Sequence, residues 1–367
     1  MPEPLKITQP TLLIDKERCM KNIFKMAKKA SKSEVLFRPH FKTHQSRAIG
    51  EWYKAAGVKN ITVSSVTMAA YFAGEWEDIT IAIPFNIREI DAVNKLMISQ
   101  KLILMVDNPN TARFLAQNLE NECSLWVEID TGSERTGIDT ADTETLDATL
   151  EVIRQEEKLT LKGFYSHAGH SYACHGEEEI MEVYDDLHQK MMDLRNKYII
   201  EWPHLEINIG DTPCCSRVKV FEGIDSISPG NFVFYDLSQE QIGACSFDQI
   251  AVALACPIVA IHEERNEIVI YGGGIHFSKE RLEDENSGTI FGRVAENKGN
   301  AWGNVIPKMF VKGLSQEHGI VSVPDSRLGN YKIGDILMIL PVHSCLTANL
   351  TGSYTTIGGE TIGRFRF

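Results

Sequence analysis

The first two thirds of the chain carry short apolar runs separated by longer stretches of mixed polarity. Eight of these runs have the length and the aliphatic or aromatic content of buried strands. The stretches between them are long enough for helices. The eight predicted strands lie at residues 35–38, 61–64, 79–83, 101–106, 124–129, 159–165, 204–208 and 225–228.

Apolar residues recur three and four apart in most of the intervening stretches, which is the pattern of an amphipathic helix. Strands that alternate with helices predict parallel βαβ units, and eight such units favour a (β/α)8 barrel. A doubly wound sheet is the competing architecture, but no Gly-x-Gly-x-x-Gly sequence follows the first strand. The predicted helices lie at residues 45–56, 87–99, 111–119, 143–156 and 177–198.

The pattern changes after residue 245. Apolar runs there are separated by Gly, Asn and Asp and show little helical periodicity, which is typical of strands joined by turns. We therefore predict an α/β protein with a (β/α)8 barrel at residues 11–245 and a C-terminal all-β domain at residues 246–367, which residues 1–10 could join. The C-terminal runs lie at residues 250–255, 267–271, 319–323 and 336–340.

The composition restricts the classes of partner. The chain has 367 residues and a formal net charge of −13, which argues against binding nucleic acid or an anionic membrane. Its eight cysteines show no disulfide-like spacing, and no segment reaches the ~20 apolar residues of a membrane helix. The first ten residues lack a basic segment followed by an apolar run. We therefore expect no signal peptide and a cytoplasmic location.

Titratable residues concentrate in the segments that follow the predicted strands. In a (β/α)8 barrel these loops meet at one face, which carries the chemistry. The loop after the first strand holds Arg38, His40, Lys42 and His44 within seven residues. Most lysines are solvated, but a partly desolvated lysine among cations has a lowered pKa and suits Schiff-base chemistry. Lys42 is therefore the candidate catalytic residue.

The loops after the seventh and eighth strands are candidates for a phosphate site. Gly210-Asp211-Thr212 and Pro229-Gly230-Asn231 offer small residues and backbone N–H groups, and barrels commonly bind phosphate at these two loops. A phosphate site opposite a lysine indicates pyridoxal phosphate.

Four further residues are candidates for contacts with such a cofactor. Arg135 could cap its own loop or could hold the phenolic oxygen of the cofactor. His167 could be a structural histidine of the core or could lie against the cofactor ring. Tyr165 and Tyr172 are packing residues in the simplest interpretation, and otherwise donate to the phosphate or to the substrate.

A second candidate site follows the predicted strand at residues 336–340. If the chain is extended there, His343 and Cys345 point to the same face and can bind one cation, and Zn²⁺ accepts imidazole together with thiolate. The set His170, Cys174 and His175 competes for this role, but its neighbours suit the cofactor site better.

Seven segments occur in the order seen in D-serine dehydratases and D-threonine aldolases, and they are RPHFKTH, DTGSERTG, SHAGHSY, GDTP, SPGNFVFYD, QEHG and HSCLTANL. From Thr11 onward the chain resembles this family of fold-type III pyridoxal phosphate enzymes, which is related to alanine racemase. The resemblance implies a covalent link between the cofactor and Lys42, and Zn²⁺ at His343 and Cys345. It also implies phosphate contacts from Thr212, Gly230 and Asn231, with Tyr165 and Tyr172 close by.

One position departs from the racemase pattern. Racemases carry an arginine before the Pro-Gly of the eighth loop, facing the pyridine nitrogen, whereas this chain has Ser228. A neutral partner leaves the cofactor ring a weaker electron sink. Free racemisation is therefore less expected than elimination.

The resemblance implies a lyase that removes the β-hydroxyl of a D-3-hydroxy amino acid with the help of the metal. D-Serine is the first expectation, because dehydratases of this family carry a cysteine at the position of Cys345 where aldolases tend to carry aspartate. A D-threo-3-hydroxyaspartate dehydratase, a D-threonine aldolase and a racemase are the alternatives, and a non-catalytic cofactor-binding protein is a further one. We expect a small-molecule substrate and a homodimer. The sequence leaves open whether a second chain completes the metal site.

Overall fold

The computed structural model describes residues 5–366, which form two compact units. The barrel unit contains Phe24–Gln45 and Gly50–Gly230. The β unit contains the chain up to Ile23, Ser46–Ile49 and Asn231–Arg366. The expectation of no signal peptide concerns a segment whose residues 1–4 lie outside the described part.

The barrel unit is built on eight parallel strands, and each lies within two residues of its predicted position. The predicted (β/α)8 barrel is therefore confirmed. Along the barrel wall the strand order is β2-β10-β9-β8-β6-β5-β4-β3, and the short β7 (Ile138–Asp139) pairs only with β6. The strands are β2 Leu36–Phe37, β3 Asn60–Val63, β4 Asp78–Pro84, β5 Leu102–Val106, β6 Cys123–Asp130, β8 Leu159–Ser166, β9 Glu206–Ile209 and β10 Ser226–Ile227.

The barrel closes through the residues that follow β2. His40 forms an isolated parallel bridge with Thr62 of β3, and the backbone N–H of Phe41 donates to the Thr62 carbonyl at 2.8 Å. The interior contains Ile103, Met105, Trp126 and Tyr165, all nearly inaccessible to solvent. Burial on both faces explains why β5 is an uninterrupted apolar run.

The five predicted helices are confirmed, with ends that shift by up to three residues. Three helices with residues in the barrel unit, α1, α3 and α8, lay outside the predicted set. The α3 segment is apolar almost throughout and therefore shows no polar face, while α8 has only six residues. The helices are α1 Lys16–Lys32, α2 Arg47–Ala55, α3 Val66–Phe72, α4 Ile90–Met97, α5 Pro109–Asn118, α6 Thr143–Gln155, α7 Glu177–Tyr198, α8 Thr212–Arg217, α9 Leu237–Gln241, α10 Gly274–Phe277, α11 Asp325–Leu328 and α12 Ser344–Leu350.

The β unit is organised around a nine-stranded sheet of order β12-β17-β16-β15-β18-β11-β1-β19-β20. Nearly all its pairings are antiparallel, and β1 with β19 is the parallel one in the described residues. The predicted all-β character is confirmed. The strands β13 and β14 pair with each other in a separate two-stranded sheet. The strands of the β unit are β1 Thr11–Ile14, β11 Val252–His262, β12 Glu267–Tyr271, β13 Leu282–Asp284, β14 Gly288–Ile290, β15 Gly292–Asn297, β16 Trp302–Leu314, β17 His318–Ser322, β18 Ile336–Pro341, β19 Ser353–Thr356 and β20 Thr361–Gly363.

Two central strands of this sheet, β15 and β16, were not predicted. Their pairing contains register shifts, and β16 includes Pro307 and a Lys308 with φ of 60°. These features interrupt the period-two alternation by which a strand is recognised.

None of the helices formed by residues 5–366 has the length and apolar composition needed to cross a membrane. Within the same range no disulfide joins any of the cysteines.

Candidate cofactor and metal sites

Two basic residues of the loop after β2 belong to the barrel core. Arg38 is buried and forms an ion pair with Asp78, which also accepts a hydrogen bond from the Asn60 amide at 2.8 Å. His44 is buried and packs edge-on against Phe41, with ring centroids 4.4 Å apart. Only part of this loop therefore belongs to the candidate site.

The other two basic residues of this loop meet side chains from neighbouring loops. His40 is buried, and its Nδ1 accepts the backbone N–H of Lys42 at 3.2 Å. Burial, followed by the charges of Lys42 and His167, lowers the pKa of His40 well below its usual value. Burial, followed by the charges of Lys42 and Arg135, lowers the pKa of His167 to about 3. The structure thus brings Lys42, Arg135 and His167 together around His40.

The loop after β10 lies directly against the lysine loop. The backbone N–H of His40 donates to the Pro229 carbonyl at 3.0 Å. A Cβ added at Gly230 would lie 3.1 Å from the His40 carbonyl oxygen and 3.2 Å from Thr43 Oγ1. A larger residue would therefore push these loops apart, so Gly230 allows the close approach that the predicted phosphate site requires.

The loop that carries Arg135 is held by a single carboxylate. Asp130 Oδ1 accepts the backbone N–H groups of Gly132 at 2.9 Å and of Ser133 at 2.7 Å. Its Oδ2 accepts the N–H of Glu134 at 2.9 Å, and Glu134 adopts a left-handed φ of 53°. The backbone is thus fixed up to the residue before Arg135, whose side chain is exposed.

Tyr165 and Ser228 belong to a network of neutral polar groups. The buried hydroxyl of Tyr165 is hydrogen-bonded to Ser228, whose Oγ also donates to Asn208 Oδ1 at 3.1 Å. Burial raises the pKa of Tyr165 above its usual value. A Cβ at Gly210 would lie 2.8 Å from the Tyr165 hydroxyl, so this tyrosine also packs on the predicted phosphate loop. The position where the racemase pattern has a cation is therefore neutral.

The segment after β8 is tied to the loop that precedes α8. The backbone N–H of Thr212 donates to the Tyr172 hydroxyl at 3.4 Å. Asp211 Oδ2 accepts the Ser171 hydroxyl at 3.1 Å and the N–H of Cys214 at 2.7 Å, which caps α8. Tyr172 and Thr212 are thus neighbours, and the contact of Thr212 with a phosphate stays a prediction.

The charges of this region fit an anionic cofactor. Lys42 and Arg135 both lower the pKa of the buried His40, so the cations of this region disfavour a further positive charge. A bound anion would relieve that repulsion. The amine of Lys42, the guanidinium of Arg135 and the close approach at Gly230 supply the groups that the aldehyde, the ring oxygen and the phosphate of pyridoxal phosphate need.

The candidate metal ligands lie at the start of α12. His343 has extended backbone angles and precedes the helix, and Cys345 lies in its first turn. The expectation that both residues lie in extended chain is therefore wrong, yet their side chains are hydrogen-bonded to each other. Burial lowers the pKa of His343, but the hydrogen bond and charge of Cys345 outweigh it and raise this pKa to about 9.

Asp236 organises the surroundings of this pair, although nothing in the sequence pattern predicts a role for it. Its Oδ2 accepts the Ser344 N–H at 2.8 Å, the Ser344 hydroxyl at 3.0 Å and the Asn231 amide at 2.6 Å. The Asn231 amide also lies 3.6 Å from Cys345 Sγ. The side chain of Asn231 therefore faces the His343–Cys345 pair, and its predicted phosphate contact remains a prediction for the backbone. Asp236 lies within the SPGNFVFYD segment, but one aspartate beside Tyr235 gave no chemical signal.

An imidazole and a thiol beside a carboxylate fit Zn²⁺, which accepts nitrogen and sulfur ligands and keeps open positions when it is catalytic. Among residues 5–366, no group of three or more His, Cys, Asp and Glu side chains is placed to hold a metal ion. The competing set His170, Cys174 and His175 accordingly forms no such group. His343 and Cys345 remain a two-residue donor set.

Comparison with known protein families gives two matches in this chain. The profile described as "Alanine racemase, N-terminal domain" matches residues 14–237. The profile described as "Putative serine dehydratase domain" matches residues 251–357.

Curated relatives align over almost the whole chain. A D-serine dehydratase from Dictyostelium discoideum is 29% identical over 388 residues, covering 96% of this chain and 94% of the relative. A D-threo-3-hydroxyaspartate dehydratase from Delftia sp. strain HT23 is 26% identical over 373 residues, covering 97% of this chain and 96% of the relative.

A solved structure of the Delftia D-threo-3-hydroxyaspartate dehydratase has the same fold. It superposes with a TM-score of 0.90 at 25% identity and covers 99% of this chain and 98% of its own. The first profile spans more than half of the chain and coincides with the eight-stranded barrel. The protein therefore belongs to the alanine racemase N-terminal domain family, with a putative serine dehydratase domain following the barrel.

Proposed function

We propose that this protein is a pyridoxal phosphate- and zinc-dependent dehydratase that removes the β-hydroxyl of a D-3-hydroxy amino acid. D-Serine is the first candidate substrate, with pyruvate and ammonia as products. The grouping of Lys42 with Arg135, His40 and His167 carries the proposal, because the lysine then lies near a guanidinium and two buried histidines, beside a glycine-containing loop. The D-serine and D-threo-3-hydroxyaspartate dehydratases among the relatives support it.

In this proposal the candidate residues of the cofactor site have separate tasks. Lys42 holds the cofactor and, when released from it, moves the proton at Cα of the substrate. Arg135 donates to the ring oxygen of the cofactor. Thr212, Gly230 and Asn231 hold its phosphate through backbone N–H groups, with Tyr172 beside Thr212. Because Lys42 acts from one side only, one enantiomer should react, and the relatives favour the D-enantiomer.

The two groups that the protein would bind supply different chemistry. Pyridoxal phosphate withdraws electrons from the Cα–H bond, and zinc held by His343 and Cys345 acts as a Lewis acid toward a hydroxyl group. The neutral network of Ser228, Asn208 and Tyr165 supplies no carboxylate that would hold a proton on the pyridine nitrogen of the cofactor. A weaker electron sink favours elimination over repeated proton exchange at Cα, which is what racemisation needs.

D-threo-3-Hydroxyaspartate is the second candidate substrate. It is favoured by the Delftia relative and by the likeness in fold at a TM-score of 0.90. The same elimination applies to it if a cation meets its second carboxylate, and Arg47 and Arg88 are candidates. The proposal also includes a homodimer and a cytoplasmic location. Sedimentation equilibrium would check the first and fractionation of expressing cells the second.

The test of this function is a product analysis on purified protein reconstituted with pyridoxal phosphate and zinc. We expect a yellow protein that forms pyruvate and ammonia from D-serine and leaves L-serine unchanged. A kcat/KM for D-threo-3-hydroxyaspartate well above that for D-serine would make the second candidate correct. Glycine and acetaldehyde as the main products from D-threonine would show an aldolase, and racemised serine would show a racemase.

The metal is tested separately on the same preparation. A chelator should stop turnover while the cofactor spectrum persists, and added Zn²⁺ should restore turnover. Elemental analysis of the treated protein confirms removal. Full activity in protein shown to be free of metal would refute the role of His343 and Cys345.

A further inference from the structure

Lys29 on α1 is a partly buried lysine whose ammonium group lies against the end of another helix. Its Nζ donates to the carbonyl oxygens of Cys215 at 2.8 Å and of Ser216 at 2.7 Å. Burial lowers the pKa of Lys29 to about 8. Cys215 opposes this shift, whereas the charges of Lys25 and Arg217 add to it. Because burial disfavours a cation, the two carbonyl contacts are what favour this position of the ammonium group.

The helix that Lys29 contacts is α8, which begins at the candidate phosphate residue Thr212. A helix of six residues has few internal hydrogen bonds and is not stable by itself, so its place depends on contacts made at its ends. The last four carbonyl groups of a helix have no partner inside it, and those of Cys215 and Ser216 are among them. Lys29 therefore caps the C-terminal end of α8.

The N-terminal end of α8 is held separately. Asp211 accepts the N–H of Cys214 at 2.7 Å and the hydroxyl of Ser171 at 3.1 Å, which joins this end to the segment after β8. A second contact supports the C-terminal end, because the N–H of Phe221 donates to Ser33 Oγ at 3.2 Å, one residue after α1 ends. The barrel unit contains all of these residues. The short helix is thus fixed at one end by Asp211 and at the other by α1 and the residue after it.

The two ends of α8 are close enough to move together. At about 1.5 Å per residue the helix is about 9 Å long, so Lys29 acts at a distance from a phosphate bound at Thr212. A hydrogen bond weakens steeply when its donor moves or turns, so a shift of the whole helix would misplace the backbone N–H of Thr212.

We infer that Lys29 is a positioning residue that fixes α8 against α1 and thereby holds the backbone N–H of Thr212 where it can donate to the phosphate of the cofactor. The inference rests on the proposed function, because it requires pyridoxal phosphate with its phosphate at Thr212. Lys29 acts on the phosphate only through the helix.

The experiment compares the binding of pyridoxal phosphate with that of pyridoxal, which lacks the phosphate. Full-length protein freed of cofactor is titrated with each compound, in wild type and in Lys29→Met. Lys28→Met is the matched control, because it removes the same charge from an exposed position of the same helix. Lys29→Arg keeps the charge and the N–H donors and tests for rescue.

We expect Lys29→Met to weaken the binding of pyridoxal phosphate about tenfold and to leave the binding of pyridoxal unchanged. Lys28→Met should bind both compounds as wild type does, and Lys29→Arg should recover most of the loss. Phosphorus NMR of the bound cofactor should show a shifted phosphate signal in Lys29→Met and the wild-type signal in Lys28→Met.

Three results would overturn the inference. Equal weakening for pyridoxal phosphate and pyridoxal would show that Lys29 only stabilises the barrel unit. An equal loss in Lys28→Met would show that positive charge near this helix is all that matters. Unchanged binding of pyridoxal phosphate in Lys29→Met would show that the phosphate site needs no support at this end of α8.

The wild-type titration separates this inference from the proposed function. A wild type that binds neither compound refutes the function, and the inference fails with it. A wild type that binds pyridoxal phosphate while the variants fail as described refutes the inference alone. If Lys29→Met does not fold, Ser33→Ala removes the other contact at this end of α8. It should weaken pyridoxal phosphate about two- to threefold and spare pyridoxal, and an equal effect on both compounds would again refute the inference.

Discussion

His167 in the barrel unit and His343 in the β unit are both partly buried, but their pKa values are shifted in opposite directions. Burial disfavours the charged form of both. The neighbours of His167 are cations, and its pKa falls to about 3. His343 lies beside the Cys345 thiol and the charges of Asp236 and Glu280, and its pKa rises to about 9. Burial is shared, so the sign of the neighbouring charge makes the difference.

The contrast shows what each region is suited to bind. The cations around His167 repel one another, so this region favours the binding of an anion. The negative charges around His343 favour the binding of a proton or, instead of the proton, of a metal ion. Both preferences follow from the charges of the chain's own residues. Substitutions that remove a charge from the first region, remove a charge from the second, or alter spacing without altering charge therefore test the contrast.

The largest effect is expected for Lys42→Ala. It removes the proposed base and the covalent attachment of the cofactor, so activity should fall by about 10³-fold or more. It also removes a cation that depresses the pKa of His167, so that pKa should rise. Steady-state kinetics measure the first effect, and an NMR titration of the ring protons measures the second.

Borohydride labelling gives the control for this prediction. Reduction of the wild-type protein should fix the cofactor to the peptide that contains Lys42, and Lys25→Ala, on the exposed side of α1, should label normally. If another lysine is labelled in the wild type, the assignment of Lys42 is wrong.

The fold was predictable because its signals are local. Parallel strands buried on both faces are short apolar runs, and amphipathic helices repeat every 3.6 residues, so all eight barrel strands and α7 were located from the sequence. Strands with register shifts and helices without a polar face carry no such signal. β16 and α3 were missed for these reasons.

The residues of the candidate cofactor site could be predicted from the sequence. The residues that hold them and the metal-site pair in place could not. Loops that follow parallel strands meet at one face, so Lys42, Arg135 and His167 could be grouped in advance. Arg38 shows the limit, because its pairing with Asp78 depends on side-chain direction inside the barrel. Asp236 was missed for the same reason. A single carboxylate before a short helix looks ordinary until its neighbours are known.

A smaller effect is expected for Asp236→Asn in the β unit. The substitution removes a negative charge beside His343 and turns an amide toward the Ser344 and Asn231 donors that Asp236 now accepts. Zinc affinity should fall about 10- to 100-fold, as when groups that orient metal ligands are removed. The mispaired donors should lower the free energy of unfolding by about 1–3 kcal/mol.

Competition with a zinc chelator and thermal melts measure these two quantities. Asp248→Asn is the matched control, because Asp248 also accepts a serine hydroxyl but is exposed. Unchanged zinc affinity in Asp236→Asn would show that the carboxylate does not support the His343–Cys345 pair.

The smallest effect is expected for Gly230→Ala, which changes no charge. The new methyl group would meet the His40 carbonyl oxygen at 3.1 Å and His40 Cβ at 3.2 Å, so the two loops must separate by a few tenths of an ångström. The charges around His167 stay in place, so its low pKa should persist. The backbone groups proposed to hold the phosphate move, and cofactor affinity should fall about threefold to tenfold.

Gly313→Ala is the matched control, because a Cβ there meets nothing within 4 Å. Equilibrium dialysis with pyridoxal phosphate measures the affinities. Equal affinities for the two variants would show that spacing between these loops does not limit binding, and that the charges of the barrel site are sufficient by themselves.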